Sequence, residues 1–320
     1  MTLTRRRLLA ATFAPAAFAP TTFAPAAFAP AAFAPLPAAA APPPAGFFLI
    51  GDWGRDGTHH QRAVAAAMAT AATARDPRWI VSAGDNFYED GVTGVTDPQW
   101  RRSFEAVYHQ PSLQRPWPIV LGNHDYRGNV EAQIAYSARS ARWQLPARHY
   151  LRHLPLGDGT AAAMFFLDTS PFIRKYLGTT TRIAGQDPAA QLAWLRQSLA
   201  ASSARWKIVI GHHPVFTARG GPGHDQPDLI AALAPVLRAG GVRAYLNGHD
   251  HTMQFTARDG TAFVTCGAGS KINPIGPARR PGFVASAHGF LAARFQPGGL
   301  RLAFIDSTGR ERFAHLLAGG

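Results

Sequence analysis

The chain has 320 residues, 47% of them hydrophobic, with one cysteine and a formal charge of +13. That length supports a substantial core within one large α/β domain, and the lone Cys266 excludes an intramolecular disulfide and any cysteine-based metal knuckle. Setting aside three arginines and no acids in residues 1–44 leaves +10, and beyond them no more than two basic residues stand together; this weighs against a nucleic-acid interface and favours solubility and attraction of anionic substrates.

Residues 1–44 read as a leader. Thr4-Arg5-Arg6-Arg7-Leu8-Leu9 is a twin-arginine pattern followed by an acid-free stretch rich in Ala, Phe and Pro, as in signals of the Tat route, which exports folded proteins. Within it, Phe-Ala-Pro recurs every five residues from Phe13 to Pro35. Proline at that period removes backbone donors and blocks a continuous helix, which argues against both a solenoid and a membrane span. The expectation is a leader over 1–44, with small residues for cleavage around Ala39–Ala41, and a single catalytic domain over 45–320. The Tat translocase would be a partner, the membrane would be met only during export, and the destination would be periplasmic or extracellular.

From Gly46 onward, short apolar runs alternate with helix-like segments, which predicts an α/β layered architecture. In chain order the expected elements are a strand Phe47–Ile50, a helix His60–Ala74, strands Trp79–Ser82, Pro118–Leu121 and Ala163–Leu167, and a helix from Asp187-Pro188 to Leu199. A strand Lys207–Ile210, a helix Pro227–Leu237 and a strand Arg243–Leu246 follow, then antiparallel candidates at Met253–Thr256, Thr261–Thr265, Gly289–Phe295 and Arg301–Ile305. Five polar clusters each stand just past one of these strands: Gly51-Asp52-Trp53-Gly54, Gly84-Asp85-Asn86-Phe87-Tyr88, Gly122-Asn123-His124-Asp125, Gly211-His212-His213-Pro214 and Asn247-Gly248-His249-Asp250-His251. In α/β folds the carboxyl ends of the strands are where function gathers.

A single Gly-Asp pair is usually a turn. Five such clusters together collect Asp, Asn, His and Tyr, a donor set without thiolate that suits hard to borderline metals. His249 and His251, at i and i+2, face the same side of an extended segment. Asp85 has two oxygens and is able to bridge two ions about 3.5 to 4 Å apart, the separation two-metal hydrolases use.

The ordered blocks GDWG, GDNFY, GNHD, VIGHHP and GHDH, across Phe47 to Ala268, resemble the motif blocks of the purple acid phosphatases, a branch of the calcineurin-like metallophosphoesterases; the short, mammalian-type form is the nearer likeness, because no large extra N-terminal β domain is present. The resemblance implies a four-layer α-β-β-α sandwich of two mixed sheets flanked by helices. It implies that Asp52, Asp85, Tyr88 and His251 hold a ferric ion, and that Asp85, Asn123, His212 and His249 hold a second ion, divalent iron, zinc or manganese. It implies hydrolysis of small phosphate monoesters by in-line attack of metal-bound hydroxide. Two carboxylates and a phenolate suit a trivalent ion, and Asn with two imidazoles suits a divalent one.

His124 matches the family's substrate-contacting histidine, and Asp125 is expected to orient it. His213 is read as supporting a ligand or contacting phosphate, with packing as the other reading, and Asp250 as accepting from a ligand imidazole or from backbone. In mammalian-type relatives the loop after the fourth block carries an acid and a histidine; here the matching places read Arg219 and Gly220, which leaves Arg219 or His224 as phosphate contacts or as solvated loop residues. A phosphodiesterase of the same superfamily is the competing enzyme reading, against which Tyr88 weighs. A catalytically inactive metal- or phosphate-binding protein is the competing reading from another class, against which the complete ligand set weighs.

Overall fold

The computed structural model describes residues 45–219, 225–276 and 281–319. The leader reading over 1–44, and Gly220 and His224, lie outside the described residues.

The elements run β1 (Gly46–Ile50), α1 (Gln61–Arg75), β2 (Trp79–Ser82), β3 (Trp117–Pro118), α2 (Val130–Tyr136), β4 (Trp143–Gln144), β5 (Tyr150–Pro155), β6 (Ala161–Phe166), α3 (Pro188–Ala201), β7 (Lys207–Ile210), α4 (Pro227–Ala239), β8 (Ala244–Asn247), β9 (Met253–Arg258), β10 (Thr261–Cys266), β11 (Phe283–Ala285), β12 (Gly289–Gln296), β13 (Gly299–Asp306) and β14 (Glu311–Ala318). A five-stranded sheet has the order β14-β13-β12-β1-β2, and a seven-stranded sheet the order β11-β9-β10-β8-β7-β6-β5. Both are mixed. β1 pairs parallel with β2 and antiparallel with β12, and β6, β7, β8 and β10 are parallel neighbours flanked by antiparallel β5 and β9.

Strand alternation sorts the core into two layers. Met164, Phe166, Ile208, Ile210, Leu246 and Val264 join the large cluster that also holds Phe48, Leu291 and Phe304 of the other sheet. Their sequence neighbours Ala163, Phe165, Val209, Tyr245 and Phe263 face the opposite way, onto Leu195 and Leu199 of α3 and Leu229 and Leu233 of α4. A one-residue slip in any of these strands would exchange the layers, so burial on both faces fixes the register. Helix α1 packs on the first sheet through β12, completing the order helix, sheet, sheet, helix. Lys207, at the start of β7, donates its ammonium to the carbonyls of Leu199 and Gly240 at 3.0 and 3.2 Å, satisfying groups at the carboxyl ends of both outer helices.

The expected strand Pro118–Leu121 is cut short. β3 covers only Trp117–Pro118, and beyond it Ile119 bridges to Ser82. The backbone there pairs elsewhere: Ile119 N–H donates to the Gln144 carbonyl and Val120 N–H to the Ser82 carbonyl.

Candidate metal centre

All five polar clusters leave the carboxyl ends of β1, β2, β7 and β8 and of the extended segment after β3, and they meet at one edge of the sandwich. Three of the turns are made by side-chain-bearing residues in left-handed backbone: Asp52 at φ 60°, Asp85 at φ 50° and His249 at φ 69°. Such conformations cost about 1–3 kcal/mol each and persist where the surroundings over-determine them. Glycine is required beside them for space. A Cβ on Gly122 would come 2.2 Å from Asp85 Oδ1, and one on Gly248 2.4 Å from Asp52 Oδ2.

The side chains fall into two groups that share a carboxylate. In the first, Tyr88 Oη lies 2.9 Å from Asp52 Oδ1, 2.8 Å from Asp85 Oδ2 and 3.2 Å from His251 Nε2, and His251 Nε2 is 3.4 Å from Asp52 Oδ1. In the second, His249 Nδ1 lies 3.0 Å from Asn123 Oδ1 and 3.3 Å from His212 Nε2, and His212 Nε2 is 3.3 Å from Asn123 Oδ1 and 3.4 Å from Asp85 Oδ2. Thus Asp85 Oδ2 stands in both. Carboxylate, phenol, amide and imidazole atoms converge from several strand ends into buried space, and such a set fits a pair of hard to borderline cations. Asp52, Asp85 and His212 offer ligand atoms all within 4.8 Å of one another.

The protons held here must leave before cations bind. Burial, with the Asp52 and Asp85 carboxylates beside it, pushes the Tyr88 hydroxyl well above its ordinary value. Burial would by itself lower His212, but the Asp85 carboxylate reverses that and raises it to about 9. Burial would raise Asp85, yet His212 and the donors from His124 hold it well below the usual carboxylate range.

Supporting groups set the orientations. His212 Nδ1 donates to the Ala83 carbonyl at 2.8 Å, which leaves Nε2 as the donor atom toward the site. The His251 and His249 backbone N–H groups donate to Asn273 Oδ1 and Asp52 Oδ2. Arg55, the residue directly after the first block, spreads its guanidinium 3.5 Å from the centre of the Tyr88 ring and donates to Glu89 and Ser270. Asp250 Oδ2 accepts from Gln254 Nε2 at 3.1 Å.

One expectation is corrected. Asp125 does not orient His124: it is fully buried and accepts from the Gly122 and Asn86 backbone and from the side chains of Asn86 and Gln133, while His124 Nδ1 donates instead to the Glu89 carbonyl at 2.5 Å. Adjacent residues on this tight turn point apart, one into the sheet and one to the rim. His213 lies near His212 and His249, and its ring nitrogens are hydrogen-bonded to Thr169 Oγ1 at 2.9 Å and Tyr176 Oη at 3.0 Å. The Arg219 guanidinium donates to the Pro274 carbonyl at 2.8 Å.

A sixth loop, after β6, was not singled out in the sequence. Its Thr169 accepts from the backbone of His212 and His213, and Asp168 accepts from Tyr126. The signal available was positional only: Asp168 and Thr169 directly follow a buried apolar strand.

A mixed-sheet sandwich with these donors at its strand ends is the architecture of a two-metal phosphoesterase, and residues 46–253 match the calcineurin-like phosphoesterase family model. Full-length relatives narrow the class. The chain is 37% identical over 294 residues to purple acid phosphatase 4 of Arabidopsis thaliana, covering 85% of this chain and 84% of that one. It is 35% identical over 295 residues to tartrate-resistant acid phosphatase type 5 of Sus scrofa, with 83% and 85% covered. Among solved structures it is similar to GAP50, described as the anchor in the inner membrane complex of Plasmodium, at TM-score 0.74 and 27% identity, covering 86% and 89%. The chain belongs to the calcineurin-like phosphoesterases, on their purple acid phosphatase branch, and is a metal-dependent phosphoric ester hydrolase with a dinuclear centre.

Proposed function

We propose that the chain hydrolyses small phosphate monoesters, with Asp52, Asp85, Tyr88 and His251 holding a ferric ion and Asp85, Asn123, His212 and His249 holding divalent iron, zinc or manganese. The observation that carries this reading is Asp85 Oδ2, which lies 2.8 Å from Tyr88 Oη on one side and 3.4 Å from His212 Nε2 on the other. When bound, the ions supply Lewis acidity toward the phosphoryl group and activate water.

The chain's own residues do the rest. The carbonyl of Glu89 only accepts, so the His124 ring carries its hydrogen on Nδ1, and Nε2, 4.0 Å from Asp85 Oδ2, faces the site. When Nε2 is protonated, it is the group that gives a proton to, or donates a hydrogen bond to, the departing ester oxygen. The donors at the floor of the site are buried: Asp52, Asp85, Asn123 and His212 are all at or below 5% exposure, which strengthens the charge interactions among them.

The test is metal analysis of protein from its native host beside turnover on phosphomonoesters and diesters. Two ions per chain, iron among them, with monoesters preferred, support the reading. A preference for diesters moves the chain to the phosphodiesterase reading, and no turnover after metal restoration moves it to a binding protein.

We further propose that residues 1–44 direct export through the Tat route, with residues 45–320 as the catalytic domain. Replacing Arg5 and Arg6 by Lys is expected to stop translocation, since the two cations differ in their hydrogen-bonding fork. Unchanged export of that variant would point to the Sec route.

A further inference from the structure

Tyr176 sits in the loop after β6, outside the five sequence blocks and outside both donor groups, yet a chain of hydrogen bonds leads from it into the centre. Thr169 Oγ1 accepts from His212 N–H and from His213 N–H, each at 3.1 Å. A hydroxyl oxygen has two lone pairs and one proton. Both lone pairs are thereby used, so the hydroxyl proton goes to its remaining partner, His213 Nδ1 at 2.9 Å. An imidazole that accepts at Nδ1 carries its hydrogen on Nε2, and that N–H donates to Tyr176 Oη at 3.0 Å. The Tyr176 hydroxyl has accepted, and its own proton has no acceptor among the described residues.

The hydroxyl stands at the edge of the second donor group. The His213 ring that holds it is centred 4.4 Å from the His249 ring and 4.8 Å from the His212 ring. Tyr245 Oη donates to the His213 carbonyl at 2.7 Å and pins the backbone beneath. Burial and the Asp85 carboxylate push the Tyr176 phenol up, so it keeps its proton at working pH.

We propose that Tyr176 is a further substrate-contacting residue whose phenolic O–H donates to a non-bridging oxygen of the bound phosphoryl group, aimed by the Thr169 and His213 pair. The proposal rests on the reading that phosphate esters are hydrolysed at this centre. An O–H fixed by a neutral relay gives the site a donor that adds no charge, and a prealigned donor of this kind acts most where charge develops on the phosphoryl oxygens. His213 and Thr169 are positioning residues, acting through Tyr176.

The experiment compares wild type with Tyr176→Phe, reading inorganic phosphate as a competitive inhibitor, kcat/KM on an aryl phosphate, and metal content. Removing a hydrogen bond to a charged group corresponds to roughly a 10- to 100-fold loss, so kcat/KM is expected to fall by about that factor. The phosphate Ki is expected to rise by about tenfold, with two ions retained. Phosphate Ki and kcat/KM both within twofold of wild type would overturn the proposal. A second pair does not depend on the fate of the Phe variant. His213→Leu withdraws the N–H but leaves the phenol, and His213→Gln offers an amide N–H toward the same side; Gln is expected to retain more phosphate affinity than Leu, and equal losses with metals retained would overturn the relay. A wild type that binds phosphate but turns over no ester would sink the functional reading alone, because the phosphate affinities still report on Tyr176.

Discussion

The two donor groups on either side of Asp85 are built by different means. The first is anionic and crowded: Asp52, Asp85 and the Tyr88 phenol lie within hydrogen-bond distance, and Arg55 covers the ring from above. The second, once a cation displaces the His212 proton, carries no charge beyond the shared carboxylate and depends on direction instead, with His212 turned by the Ala83 carbonyl and the neighbouring backbone tied to Thr169. One sheet edge therefore offers an electrostatic pocket beside a geometric one. The first should discriminate ions by charge, the second by how well three neutral donors stay in place.

The largest effect should come from removing what the groups share. Asp85→Ala is expected to abolish stable binding of both ions and reduce turnover to background, read by metal stoichiometry and phosphatase assay; two tightly held ions in that variant would break the comparison at its centre. Next comes the geometric side. Asn123→Ala or His212→Ala is expected to lose the second ion selectively, and to cost more than the about 10- to 100-fold typical of a group outside the ligand set. Equal loss of both ions would mean that the two groups are not separable. The smallest effect on turnover belongs to Tyr88→Phe, within about tenfold, or about 1.4 kcal/mol in the barrier. Its signature is optical: an iron-loaded wild type should show a phenolate-to-iron band in the visible, and the Phe variant should bleach it. A band that survives in the variant would remove Tyr88 from the first group.

Much of this was legible because the signal lay in strand ends. β1, β2, β7 and β8 are short apolar runs closed by Gly and a polar cluster, and periodicity with turn chemistry finds such units. The outer strands were harder. β5 mixes Arg152 and His153 with apolar neighbours and ends on Pro155, and β14 is largely exposed, so neither shows a clean alternation. Helix α2 has seven residues, too few for a helical period to stand out, yet it supplies the Gln133 that holds Asp125. Thr169 and Arg55 were missed for another reason. A single hydroxyl or guanidinium has no spacing to recognise, and its role exists only once strands distant in sequence are brought together. Asp125 shows the converse failure, since nearness in sequence to His124 carried no contact in space.

The left-handed backbone at Asp52, Asp85 and His249 bears on how this chain is free to change over evolutionary time. Glycine would relieve about 1–3 kcal/mol of backbone strain at each, but at 52 and 85 it would also orphan a backbone donor, since Asp52 Oδ2 accepts from His249 N–H and Asp85 Oδ1 from His124 N–H. A lineage that gave up its metals would gain most from glycine at 249, whose ring is hydrogen-bonded only to Asn123 and His212 among the described residues, both in the same donor group. Loss of the metals in such descendants should therefore be written first at position 249, ahead of Asp52 and Asp85, whose carboxylates also hold backbone in place.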